Sequence, residues 1–118
     1  LADYKRLNEH SAITKRIINS CVKFPEITGG SKSINSILTK LSKGKAFIKN
    51  GAEGVFVAII PEKKSALAVK IIDGTRRAAE VAIAGLLSEL KIINNEKIKK
   101  RPIKNSANQI IGSIKWIC

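Results

Sequence analysis

The 118-residue chain has no methionine, one histidine (His10) and only two cysteines, Cys21 and Cys118. One histidine and two distant cysteines cannot close a four-ligand zinc site. No apolar run approaches the roughly 20 residues that a membrane helix needs, so no membrane partner is expected. No secretory leader is read before the first helical segment, which points to a cytoplasmic setting with both thiols free. Aromatic residues make up 4% of the chain, so the core must be aliphatic. Leu1 is not a residue usually left by removal of an initiator methionine. The sequence therefore reads as a piece of a longer protein, or as the product of a truncated or mis-started frame.

What the chain has in excess is positive charge, +13 in total. A cationic surface attracts nucleic acid or anionic membrane. Lysine, isoleucine and asparagine are also abundant together, as an A+T-rich coding sequence would make them whatever the function. The lysines are spread along the chain, so only non-specific nucleic-acid binding is expected. Hydrophobic residues at 44% suit a globular chain, either one domain or one part of a larger one.

Residues 45–79 organise the rest. They predict a strand, a tight glycine turn, a second strand, a polar turn, a third strand and the start of a helix. In the second strand Val55, Val57 and Ile59 share one face and Phe56, Ala58 and Ile60 the other. A strand apolar on both faces is normally covered on both. The turn Asn50-Gly51-Ala52-Glu53-Gly54 sets two glycines around one carboxylate, with Lys49 at its lip. Pro61 opens the second turn, where a ladder donor is not needed. Asp73 or Thr75 can cap the following helix. Lys70 and Asp73 are expected to pair at the end of the third strand.

The flanks predict helices. Residues 1–9 read as the tail of one, with Leu1, Tyr4 and Leu7 inward, and His10 at a junction. Ser11 can cap a second, with Ile13, Ile17, Cys21 and Ile18, Val22 as its apolar stripe. It must end near Phe24, because Pro25 disfavours helical geometry before it. Residues 28–31 read as a loop. A short helix then turns Ile34, Ile37, Leu38 and Leu41 inward and ends at Lys43-Gly44. The longest helix spans about 76–90, with Ala79, Ala82, Ile83, Leu86, Leu87 and Leu90 as its face and small residues to bring it close to the sheet. Residues 94–101 read as a charged linker closed by Pro102. Residues 110–117 read as a last strand anchored by Trp116.

Several of these stretches carry a resemblance. Lys49-Asn50-Gly51-Ala52-Glu53-Gly54-Val55-Phe56, Pro61-Glu62, the run 68–74 (AVKIIDG) and Arg77-Ala78 are similar to the C-terminal part of the asparaginase II family, the rhizobial type of L-asparaginase. Phe24-Pro25-Glu26 with Gly29-Gly30 extends it upstream. Pro102-Ile103-Lys104-Asn105 and Gly112-Ser113-Ile114-Lys115 extend it downstream. The resemblance implies an α/β (α+β) fold: an antiparallel sheet of about four strands with helices mainly on one face, part of a serine β-lactamase-like architecture. It implies hydrolysis of L-asparagine, or a similar small amide, by a serine nucleophile. It makes residues 1–118 the C-terminal portion of one domain, with the N-terminal half of that domain as partner and a homodimer as a further assembly. Zinc in the family's full-length members implies ligands in that other half; this chain is expected to hold no metal.

The resemblance also assigns residues. Lys49-Asn50-Gly51 stands where such enzymes carry Lys-Thr/Ser-Gly, which makes Lys49 the catalytic cation. A cation there holds the serine's base neutral and receives a substrate carboxylate, and glycine lets substrate approach the strand. Asn50, Gly51, Glu53 and Ser31 become substrate-binding candidates, with Glu53 placed to balance Lys49 or to orient it. Family members usually show Gly-Thr-Gly-Arg and a nearby Asp around Ser31; here Lys32, Ser33 and Asn35 replace the second glycine, the arginine and the aspartate. The Ser-x-x-Lys nucleophile element is read as missing. By residue type alone Lys49 is one more surface lysine, and a basic nucleic-acid-binding domain or a folded, non-catalytic remnant remain the alternatives.

Overall fold

A computed structural model describes residues 11–117. The expectations for Leu1, Tyr4, Leu7, His10 and Cys118 lie outside these residues. The chain is α+β. In order it forms α1 (Ser11–Lys23), α2 (Pro25–Gly29), α3 (Ile34–Leu41), β1 (Phe47–Asn50), β2 (Val55–Ile60), β3 (Ser65–Lys70), α4 (Arg76–Glu89), β4 (Lys100–Lys104) and β5 (Ile110–Lys115). Short 3₁₀ turns at Pro61–Lys63 and Glu96–Lys99 precede β3 and β4.

The strands make two antiparallel units, not the single sheet of about four that the sequence suggests. One is a three-stranded sheet in the order β1-β2-β3, and the other is the ribbon β4-β5. Residues 94–101 are correspondingly not a linker. Asn95 Oδ1 accepts the Lys97 N–H at 3.0 Å and starts a 3₁₀ turn. Ile92 and Ile93 are buried just before it, and β4 begins at Lys100.

Helix α4 lies between the two units. Ala79, Val81, Ile83, Ala84, Gly85 and Leu87 are all buried. One side of the helix meets β2 and β3, and another meets β4 and β5. The sequence assigns its small residues to the sheet. Ala79 and Ala84 do join the sheet's core, but Gly85 receives the ring of Trp116, so closely that an added Cβ would fall 2.8 Å from Cδ1 and nearer still to other ring atoms. Trp116 is thus an anchor that pins the ribbon to the helix. Its backbone N–H donates to the Lys99 carbonyl at 2.8 Å, while its Nε1 is buried without a partner.

The core joins Leu38, Ala46, Ile48, Phe56, Ala58, Ile60, Ala79, Ile83, Ala84 and Leu87. Register sets Ile48 opposite Ala58 and Asn50 opposite Phe56, so one face of the sheet meets the helices. The second face is not covered as expected. Val57 is exposed, and Val55 and Ile59 are half-buried. The stripe of α1 is likewise only partly covered. Cys21, Ile18 and Val22 are half-buried, but Ile13 and Ile17 are 58% exposed, because no described element packs over the first turns.

Helix α3 departs furthest from its hydrophobic pattern. Leu38 is buried and Ile34 and Leu41 partly so, but Ile37 faces out. Its buried face also carries Asn35, Ser36 and Thr39, with Ser42 at the C-cap. Each hydroxyl meets backbone outside its own helix turn, satisfying itself and tying neighbouring segments to the helix. Thr39 Oγ1 accepts the Ile48 N–H at 3.2 Å, and Ser42 Oγ accepts that of Ala46 at 3.1 Å. Ser36 Oγ lies 2.8 Å from the Pro25 carbonyl and 2.7 Å from that of Gly30. A polar helix face therefore seats the loop before it and the strand after it.

Candidate functional site

The site grows from the end of β1. Four residues, Gly51-Ala52-Glu53-Gly54, return the chain into β2, closed by Gly51 N–H to Val55 O at 2.9 Å and Val55 N–H to Ala52 O at 3.2 Å. Glu53 and Gly54 take φ of 53° and 70°. Gly54 suits this because it has no Cβ. It also packs directly on Gly74, where an added Cβ would lie 2.9 Å from the carbonyl carbon. Ile71 N–H donates to Gly54 O at 3.1 Å, and Lys70 Nζ donates to Glu53 O. The hairpin is thus clamped to the link between β3 and α4.

A second grip comes from α3. Ser33 caps that helix, its Oγ accepting the Ser36 N–H at 3.3 Å. This points Asn35, 1% exposed, at the strand end, where its Nδ2 donates to Asn50 Oδ1. Asn35 Oδ1 is buried without a partner. Gly29 makes room, since a Cβ there would sit 2.7 Å from Ser33 Oγ and 3.0 Å from Asn35 Nδ2.

β1 is an edge strand. Its Ile48 N–H is spent on Thr39, away from β2. Alternation then puts the backbone N–H and C=O of Asn50 on the same outer edge. The Asn50 carbonyl accepts from Lys49 Nζ at 3.1 Å, so a half-buried lysine lies along the outer edge, which no described strand pairs. The Lys49 and Asn50 side chains leave opposite faces of the strand.

The candidates are not all brought together. Lys49, Asn50 and Gly51 are contiguous at the strand end, whereas Ser31 is exposed on the turn before α3. Glu53 does not balance Lys49. Its 85% exposed carboxylate lies 3.9 Å from Lys70 Nζ. Nor does Lys70 form the expected pair with Asp73. Asp73 Oδ1 accepts from Thr75 N at 2.9 Å and from its hydroxyl at 2.8 Å, which holds the Asp73 carboxyl below its ordinary range. Sequence reasoning missed Asn35 as a partner of Asn50. The available signal was a polar residue on the side of a short helix that carries Leu38.

Ser-x-x-Lys spacing, read as missing, occurs three times: Ser20/Lys23, Ser42/Lys45 and Ser88/Lys91. The hydroxyl of Ser20 donates to Arg16 O at 2.8 Å, and Lys23 Nζ stands 5.3 Å from the centroid of the Phe24 ring. Ser42 is buried and engaged with Thr39 and Ala46. Ser88 lies near the end of α4, and Lys91 follows in the turn beyond it. The lysine ammonium groups bonded among the described residues reach carbonyls, carboxylates or an Asn side chain, never a serine hydroxyl. The described residues also do not fit zinc: no three His, Cys, Asp or Glu side chains converge among them, and Cys21 is a free thiol.

No described helix is long and apolar enough to cross a membrane. The family model for L-asparaginase II matches residues 1–116. No curated protein matches the chain.

Proposed function

The chain belongs to the L-asparaginase II family, and from that premise we propose that its β1 edge lines the substrate cleft of an amidohydrolase converting L-asparagine and water to L-aspartate and ammonia. The observation that carries this reading is the Lys49 ammonium lying along the outer side of β1, where no described strand pairs, beside a clamped glycine turn. A serine oxygen attacks the side-chain amide carbonyl, ammonia departs with a proton, and water releases aspartate from the acyl-serine. Lys49 supplies positive charge to the oxyanion and to the substrate carboxylate. The Asn50 N–H on the outer edge donates a hydrogen bond to the bound substrate. Gly51 leaves the approach clear, and the Asn35–Asn50 contact holds the strand end in place. On this reading the serine–base pair comes from the other half of the same β-lactamase-like domain, which covers the half-open sheet face around Val57.

The reading is tested by ammonia release from L-asparagine, assayed for the 118-residue chain alone and after co-expression with the N-terminal half of a relative. The chain alone is expected to stay at the blank, because a nucleophile and its base together account for many powers of ten in rate. The complemented form is expected to turn over. Turnover by the chain alone that vanishes with Ser20→Ala would relocate the nucleophile to α1. A complemented, folded complex that releases no ammonia would refute the assignment.

A further inference from the structure

A cleft on the helix side of the molecule concentrates charge that the proposed reaction does not use. It lies between the start of α3, the start of α4 and β4, has a volume of about 410 Å³, and is lined by Lys32, Arg76, Arg77 and Arg101 with Ile37 and Glu80. Four cations face one carboxylate, which leaves three formal positive charges around the cavity. Glu80, 13% exposed, is a scaffold: Arg76 Nε meets its Oε1 at 2.9 Å and Arg101 Nη1 meets its Oε2. Two guanidinium groups are thereby fixed in place, with donors left over, since each carries five N–H bonds. Arg77 and Lys32 have no ion pair among the described residues. Asp73, whose carboxylate feels the charge of Arg77, spends its Oδ1 on Thr75.

Charges of one sign crowded at the start of a helix, with no acidic residue in its first turn, repel one another and the helix dipole. That repulsion is relieved when an anion enters. The cleft also contains the exposed Ile37, the one apolar side chain of α3 that fails to turn inward. We propose that this cleft binds a small organic dianion, a phosphate monoester or a dicarboxylate, with its oxygens on Arg77, Lys32 and the free donors of Arg76 and Arg101, and its carbon skeleton on Ile37. Forked guanidinium groups match both oxyanions, and the cavity is larger than a bare phosphate requires.

The test is calorimetric titration of the 118-residue chain with phenyl phosphate, inorganic phosphate and malonate at about 50 mM salt, where exposed charges are not fully screened. At least one organic dianion is expected to bind saturably, one per chain. Arg77→Gln combined with Lys32→Gln should weaken it about tenfold or more, roughly 1.4 kcal/mol, while leaving the circular dichroism unchanged. Ile37→Ser should remove the preference for phenyl phosphate over inorganic phosphate. A response to phenyl phosphate alone assigns a phosphate monoester; a response to malonate alone assigns a dicarboxylate. The proposal is overturned if the folded wild-type chain shows no saturable binding up to about 20 mM, where the standard binding free energy is already only about −2 kcal/mol. It is equally overturned if Lys45→Gln with Lys64→Gln, remote from the cleft, weakens binding as much. Neither outcome depends on asparagine turnover.

Discussion

Replacing Gly54 by alanine perturbs the hairpin in two separable ways. Its φ of 70° lies in the left-handed region, which costs a residue with a Cβ roughly 1–2 kcal/mol. The new Cβ would also stand 2.9, 3.1 and 3.2 Å from the carbonyl carbon, oxygen and Cα of Gly74. Those are backbone atoms that cannot swing aside, and overpacking of that kind costs about 1–3 kcal/mol. Gly54→Ala should therefore lose about 2–5 kcal/mol, a large part of a small domain's stability. Gly44 is the internal control. Its φ is 85° and nothing lies within 4 Å of an added Cβ, so Gly44→Ala should show the conformational cost alone. Urea unfolding of both variants gives the comparison, provided the m-value is unchanged. Equal midpoints for the two would refute the claim that the turn after Lys49-Asn50 is clamped onto the link between β3 and α4.

Gly85→Ala should destabilise the chain although alanine favours a helix over glycine by about 1 kcal/mol, because the Cβ meets the Trp116 ring. In a Trp116→Ala background the same change should become stabilising, and an unchanged sign in the double-mutant cycle would argue against the contact. Asn35→Ala should cost about 1–2 kcal/mol by leaving Asn50 without its amide partner, measured as a shifted urea midpoint. Acid should weaken the fold. Asp73 is held low by the Thr75 N–H and hydroxyl, and Glu26 by its own N–H and then Lys40. Lowered folded values mean this stabilisation is complete above the unfolded carboxylate range, about pH 4, and is lost as pH falls through the folded values. Asp73→Asn should flatten that acid limb in a pH series of unfolding midpoints, and an unaltered limb would deny Asp73 its role at the helix start.

Local chemistry made much of the fold legible. Pro25 ends α1 at Lys23 and opens α2, and the alternation of 55–60 places Phe56, Ala58 and Ile60 in the core. What failed was inference about what each face meets. Helix α4 has apolar residues on two sides because it separates a sheet from a ribbon, and periodicity does not reveal which element packs where. Helix α3 buries Asn35, Ser36 and Thr39 because each finds a hydrogen-bond partner in a segment that reaches it only once the chain has folded: the Asn50 side chain, the Pro25 and Gly30 carbonyls and the Ile48 N–H. At the site, the contiguous residues 49–51 were legible as a motif. The Asn35–Asn50 contact spans 15 positions, and the transfer of Lys70 from Asp73 to Glu53 depends on a turn geometry that spacing does not encode.

On the proposed function Lys49 acts on substrate from the edge of β1. Its test is the rate of ammonia release from L-asparagine by the complemented enzyme carrying Lys49→Ala, set beside Lys64→Ala in the exposed turn before β3. Each removes one positive charge. Loss of one preorganised group aimed at a developing oxyanion costs about 10²–10³ in rate, so Lys49→Ala should fall by that factor while Lys64→Ala stays near the parent. Near-parental turnover by Lys49→Ala would make Lys49 an ordinary surface lysine and contradict the account.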